Sequence, residues 1–311
     1  MGTGFTHRLP PKPIPIPAFP LKGKEQIADH WNRMNRIDTR FARLKAASRK
    51  ALVPFITAGD PSLESTVPVM HALVAAGADV LELGVPFSDP MADGPTIQRS
   101  SERALTRGAG MSYVLDCVRA FRTTDATTPV VLMGYLNPIE IRGAEAFAAA
   151  AVAAGVDGVL LVDLPPEELD GFNAAFRAHG LALILLAAPT TSDARLERLC
   201  EHAQGYLYYV TFAGVTGADG LDAAVAGERL QQIRSRTTVP VVAGFGIKDA
   251  ASATRMATHA DGVVVGSALV ASIAQAGSAE EAASLAARFL EPLRAGLDGA
   301  VRNHPPGVAN A

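Results

Sequence analysis

The feature that most constrains this chain is an alternation. Eight short apolar runs, at 52–57, 80–83, 130–133, 158–162, 182–187, 206–210, 239–243 and 262–265, are separated by longer runs with helical spacing. Several of the short runs are apolar at nearly every position, as strands buried on both faces must be. Helices are predicted over 63–75, 96–106, 111–123, 141–154, 167–179, 192–202, 221–236, 250–258 and 279–297, with a short one over 268–273. Strand and helix alternating at this count predict an α/β fold, a closed (β/α)8 TIM barrel rather than an open sheet. An extra N-terminal helix over 36–47 precedes the first strand and is placed to plug the barrel floor.

The 311 residues suffice for one such domain, assigned to residues 34–298. Residues 1–33 carry Pro10, Pro11, Pro13, Pro15, Pro17 and Pro20, a polyproline-like segment expected to be a flexible, disordered leader. It has no apolar core of a secretory signal, and a start at Met34 is a simpler reading still. Residues 299–311, with Pro305 and Pro306, are expected to fray.

Charge and composition exclude several roles. A formal charge of -3 gives no electrostatic reason to expect nucleic acid or an anionic membrane as partner. No apolar run reaches the ~18 residues of a membrane span. Cys117 and Cys200 stand in no metal or redox spacing, so a cytoplasmic location is expected. The seven histidines show no ligand spacing, so no metal is expected. No lysine lies inside a strand to form a Schiff base, and no serine or cysteine has a histidine partner in view.

Barrel chemistry sits at the carboxyl ends of the strands. Glu82 is a lone charge inside the second apolar run, pointing opposite to Leu81 and Leu83. It either pairs with a base or is a general acid/base whose pKa is raised by desolvation, and its place near the strand end favours the second reading. Asp93 lies just before Gly94-Pro95, where the next helix starts. It can be a turn or cap residue, or can share a pocket with Glu82 and divide the acid/base and charge-stabilising roles. Asp60 and Asp89, each preceding a proline, read more simply as turn residues. Glycine segments at 214–217, 244–247 and 266–268 follow the last three strands. Their amides can converge on one anion, and Ser267 stands where a short helix begins, so a phosphate is expected there.

These residues resemble a known family. The run 52–61, the segment Leu81-Glu82-Leu83-Gly84-Val85-Pro86-Phe87-Ser88-Asp89-Pro90 continuing to Gln98, and the segments 133–138, 163–165, 214–217 and 244–247 are similar, in order, to the tryptophan synthase alpha chain. The resemblance implies a barrel that cleaves indole-3-glycerol phosphate to indole and glyceraldehyde 3-phosphate, in tryptophan biosynthesis. It implies Glu82 and Asp93 as catalytic carboxylates, with Tyr208 assisting. Phe55, Phe245 and Tyr135 would line the indole pocket, and Gly217, Gly246, Gly266 and Ser267 would hold the phosphate. It implies no cofactor in this chain, with pyridoxal phosphate in a partner beta subunit and an alpha2beta2 heterotetramer that passes indole between subunits. The loop at 211–220 departs from the family pattern at Phe212-Ala213 and in lacking a basic residue after its last glycine, which bears on loop closure. A stand-alone indole-releasing lyase, a catalytically silent allosteric barrel and another phosphate-binding barrel remain as alternatives.

Overall fold

The computed structural model describes residues 35–210, 221–244 and 246–303. Eight parallel strands close on themselves in sequence order: β1 (Ala51–Thr57), β2 (Leu81–Gly84), β3 (Val130–Gly134), β4 (Gly158–Leu161), β5 (Ala182–Ala187), β6 (Leu207–Val210), β7 (Val241–Gly244) and β8 (Gly262–Val265). The expected (β/α)8 barrel is therefore present. β7 begins two residues later than expected because Pro240 has no N–H for the ladder.

Around the strands run α1 (Arg36–Ala46), α2 (Thr66–Ala75), α3 (Pro95–Thr106), α4 (Met111–Arg122), α5 (Asn137–Glu140), α6 (Ala144–Ala154) and α7 (Leu169–Ala178). They continue as α8 (Asp193–His202), α9 (Leu221–Arg236), α10 (Ala250–Ala257), α11 (Ser267–Ile273) and α12 (Ala279–Asn303). The helix expected over 141–154 begins at Ala144, because Gly143 at φ +80° interrupts the chain there, and the separate short helix α5 over Asn137–Glu140 precedes it. α12 runs to Asn303, past the expected end at Leu297.

Strand alternation sorts side chains into two layers. Leu52, Leu81, Leu83, Leu132, Leu183 and Val263 face outward into the apolar layer beneath the helices. Val53, Val131, Leu160, Ile184, Tyr206 and Val242 face the barrel interior. α1 closes the interior as expected: Asn35 caps it by accepting from the Ile37 amide at 3.0 Å, and Ile37, Phe41 and Leu44 pack into the same cluster. That spacing of four and three places all three on one helix face.

The floor carries a repeated polar device. Asp79, Asp157 and Asp261 stand just upstream of β2, β4 and β8, and each accepts a backbone amide from the entrance of the preceding strand. Each also pairs with an arginine from a helix: Arg294, Arg122 and Arg234, at 3.0, 2.7 and 2.8 Å. These ion pairs fix the strand entrances and leave the opposite rim free for other uses. Among the described residues, no helix is long and apolar enough to cross a membrane, and no cluster of His, Cys, Asp or Glu is arranged to hold a metal.

Candidate active site

Glu82 sits in β2 between Leu81 and Leu83, which belong to the outward layer, so its side chain enters the barrel. It is 0% exposed. Oε1 accepts a 2.6 Å hydrogen bond from the Tyr206 hydroxyl, and Oε2 has no partner among the described residues. Burial pushes its pKa from the ordinary 4.5 up to about 7, against the lowering effect of the Tyr206 donor. A carboxyl poised near neutrality can both give and take a proton. Tyr206 is itself fully buried and rests on Phe41 of the α1 plug, ring centroids 5.7 Å apart. The carboxylate is thus held against the floor side of the interior.

Asp93 ends the β2–α3 loop. Its amide donates to the Pro90 carbonyl, and its own carbonyl accepts from Gln98 Nε2 at 2.9 Å. Oδ2 accepts a 2.9 Å hydrogen bond from the Tyr135 hydroxyl, which also accepts from the Ala92 amide at 3.0 Å. Partial burial raises the Asp93 pKa, while the Tyr135 bond lowers it. Tyr135 stacks on Phe87, centroids 5.0 Å apart, which braces both ends of the loop against β3. Tyr208 lies on the interior face of β6 with its hydroxyl over Gly244, and its pKa is raised by burial and by the charges of Glu82 and Asp93. The tyrosine therefore stands within the field of both carboxylates.

Above Glu82 is a narrow cleft with a cavity volume of about 10 Å³, lined by Phe55, Val85, Asp93, Ile97, Met133 and Tyr135 among others. Its lining is mostly apolar with a few polar groups, the chemistry a flat aromatic ring needs, and its walls must part to admit one. Gly84 makes room for one wall: a Cβ there would stand 2.5 Å from Phe55 Cζ. Glu82 does not line this pocket; it lies under it, turned onto Tyr206. A larger groove between α7 and α8 is lined by Asp170, Ala194, Glu197, Arg198, Glu201 and His202, and sits on the helical exterior, away from the strand ends.

Beyond the ends of the neighbouring strands β7 and β8 stand Gly246, at φ +68°, and Gly266, which precedes the first residue of α11, Ser267. Gly246 and Ser267 are exposed to solvent on this rim. Gly217 and Phe245 lie outside the described residues. The structure thus gathers Asp93, Phe55 and Tyr135 around one cleft, with Glu82 and Tyr208 on the barrel interior beneath it and Gly246, Gly266 and Ser267 on the rim. Sequence reasoning missed Tyr206 as the partner of Glu82. The signal was its period-two relation to Tyr208, which puts both on the same face.

Comparison with known proteins agrees with this geometry. The family model for the tryptophan synthase alpha chain matches residues 41–296. A tryptophan synthase alpha chain from Xanthomonas oryzae pv. oryzae (strain PXO99A) is 71% identical over 268 residues, 86% of this chain and 100% of that protein. One from Xanthomonas campestris pv. campestris (strain B100) is 68% identical over 265 residues, 85% of this chain and 97% of that protein. Among solved structures, tryptophan synthase subunit alpha from Legionella pneumophila str. Paris superposes with a TM-score of 0.80 at 48% identity, covering 86% of this chain and 100% of that one. A chain of the tryptophan synthase complex from Pyrococcus furiosus gives 0.71 at 37% identity, covering 79% and 98%. By the family model and by relatives matched over essentially their whole length, this chain belongs to the tryptophan synthase alpha chain family.

Proposed function

We infer that this chain is a carbon–carbon lyase that cleaves indole-3-glycerol phosphate to indole and glyceraldehyde 3-phosphate, the alpha reaction of tryptophan synthase in tryptophan biosynthesis. The observation that carries the chemistry is Glu82: a fully buried carboxyl that burial pushes up to about 7, with one oxygen that has no partner among the described residues, beneath a mostly apolar cleft.

Indole is a poor carbanion leaving group, so its C3 must gain a proton before the bond to the hydroxyl-bearing carbon breaks. Protonated Glu82 supplies that proton after exchanging the Tyr206 hydroxyl for the substrate. The ring then holds positive charge near its nitrogen. Asp93, kept in place by Tyr135, accepts the ring N–H and stabilises that charge. The electron pair of the breaking bond returns to the ring, and the hydroxyl proton passes to the Glu82 carboxylate as the aldehyde forms. Tyr208, near both carboxylates, assists at the hydroxyl end. Phe55, Tyr135 and Phe245 hold the indole ring, and Gly217, Gly246, Gly266 and Ser267 hold the phosphate. Each step uses side chains of this chain, and none calls for an organic cofactor or a metal.

The family name implies a beta subunit as partner. We read that partner as the carrier of pyridoxal phosphate and the acceptor of indole, in an alpha2beta2 heterotetramer in the cytoplasm. Met91 in the β2–α3 loop and Ile141 after α5, each 79% exposed, are the large apolar side chains left uncovered among the described residues. Both flank the loops that carry Asp93 and Tyr135, so this rim is the docking face the reading favours.

The test is indole release from indole-3-glycerol phosphate by the purified chain, with and without a tryptophan synthase beta subunit. Slow release alone and a large rise with the partner are expected. Fast release unchanged by the partner points to a stand-alone lyase, and no release in either condition overturns the reading.

A further inference from the structure

Asp60 reads in the sequence as a turn residue before Pro61. In the fold it is 3% exposed, in the turn that follows β1. Both its oxygens are taken by one guanidinium: Arg103 Nε donates to Oδ1 at 2.7 Å and Nη2 to Oδ2 at 2.8 Å. Such a two-pronged pair fixes direction as well as distance. Arg103 lies on α3, the helix that starts immediately after Asp93 and Gly94.

The end of β1 and its turn grip α3 at two further points. The hydroxyls of Thr57 and Ser100 are 2.6 Å apart and share a hydrogen bond. Gly59, at φ +87°, packs so closely that a Cβ would stand 3.3 Å from Ala104 Cβ and 2.6 Å from Ala109 Cβ. Ile97, Ser100, Ser101 and Ala104 form the buried face of α3, at the spacing of one helix side. At its other end, α3 reaches Asp93 through Gln98, whose Nε2 donates to the Asp93 carbonyl. Tyr135 aims the Asp93 carboxylate, but the backbone that carries it begins at the helix that Arg103 anchors.

We propose that Asp60 and Arg103 are positioning residues for the cleavage reaction: by locking α3 to the end of β1, they set where Asp93 meets the indole ring. The proposal rests on the lyase reading above. Neither residue lines the pocket, and Arg103 stands about 12 Å along the helix from its first residue at ~1.5 Å per residue. The phosphate grip belongs to the ends of β7 and β8, outside the clamp. Loosening the clamp therefore misplaces the charge that stabilises the protonated ring, and leaves substrate capture nearly intact.

Arg103→Lys keeps the charge and removes the fork. Asp60→Asn keeps the shape and removes the charge. Indole release by the full chain is followed at varied substrate concentration, with the folded fraction of each variant measured by circular dichroism at the assay temperature. We expect kcat per folded molecule to fall about tenfold and KM to stay within about twofold, since small misplacements of a reacting group cost rate first. A folded variant with unchanged kcat overturns the proposal, as does a loss that equals the unfolded fraction or one confined to KM. Should Arg103→Lys fail to fold, Asp60→Asn decides alone. A wild-type chain that releases no indole removes the lyase reading itself and this proposal with it, whereas an active wild type with fully active variants removes only the clamp.

Discussion

Replacing Glu82 by glutamine keeps the side chain's shape and removes its charge. In the unfolded chain the carboxyl ionises at its ordinary 4.5, while in the folded barrel burial holds it to about 7. Between those values the folded state keeps a proton that the unfolded state has lost, so wild-type stability falls as pH rises through that window. Integrating over pH 5 to 8.5, the loss is about 2–3 kcal/mol. The variant has no such term. Packing differences between Glu and Gln do not depend on pH, and the other buried carboxylates, Asp79 and Asp157 among them, titrate alike in both proteins. Denaturant unfolding of both proteins at pH 5 and 8.5 isolates the effect. The stability of wild type relative to Glu82→Gln should drop by about 2–3 kcal/mol across that range. Parallel pH curves would refute the reasoning, because they would mean that Glu82 ionises in the fold as it does in water.

Tyr206→Phe removes the donor to Glu82 Oε1, so the Glu82 pKa rises further and the alkaline limb of kcat/KM moves up, by about one unit for a bond of this kind. A limb that stays or moves down would contradict the assignment. Arg122→Met strips one of the two arginines from buried Asp157, and should destabilise the fold in denaturant unfolding by less than the about 3–5 kcal/mol of a wholly unpaired buried charge, because Arg36 remains, while leaving the rim in place. Gly84→Ala drives a Cβ to 2.5 Å from Phe55 Cζ, so the ring must swing into the pocket; KM for the substrate should rise at least tenfold with little change in fold by circular dichroism.

The barrel was legible because strands buried on both faces are apolar at almost every position and their helices keep a separate period. The plug was legible for the same reason: Ile37, Phe41 and Leu44 recur at helical spacing ahead of β1. Glu82 stood out as the one charge in such a run. Its partner did not, because Tyr206 is 124 residues away: period-two alternation puts it on the face of Tyr208, but only closure of the sheet brings it to Glu82. Asp60 shows the same limit more sharply. Its proline neighbour gives a sufficient local reason for it, while its bond to Arg103, 43 residues on, depends on where α3 lies against β1. Gly217 and Phe245 fall outside the described residues, so their places rest on family resemblance alone.

The central claim is that Glu82 moves the proton that breaks the carbon–carbon bond. The direct measurement is single-turnover indole release from indole-3-glycerol phosphate by the wild-type chain and by Glu82→Gln at pH 7, with both confirmed folded. The account predicts release by wild type and a fall of at least about a hundredfold in the variant, the scale of a lost general acid/base. Release by folded Glu82→Gln at the wild-type rate would contradict it.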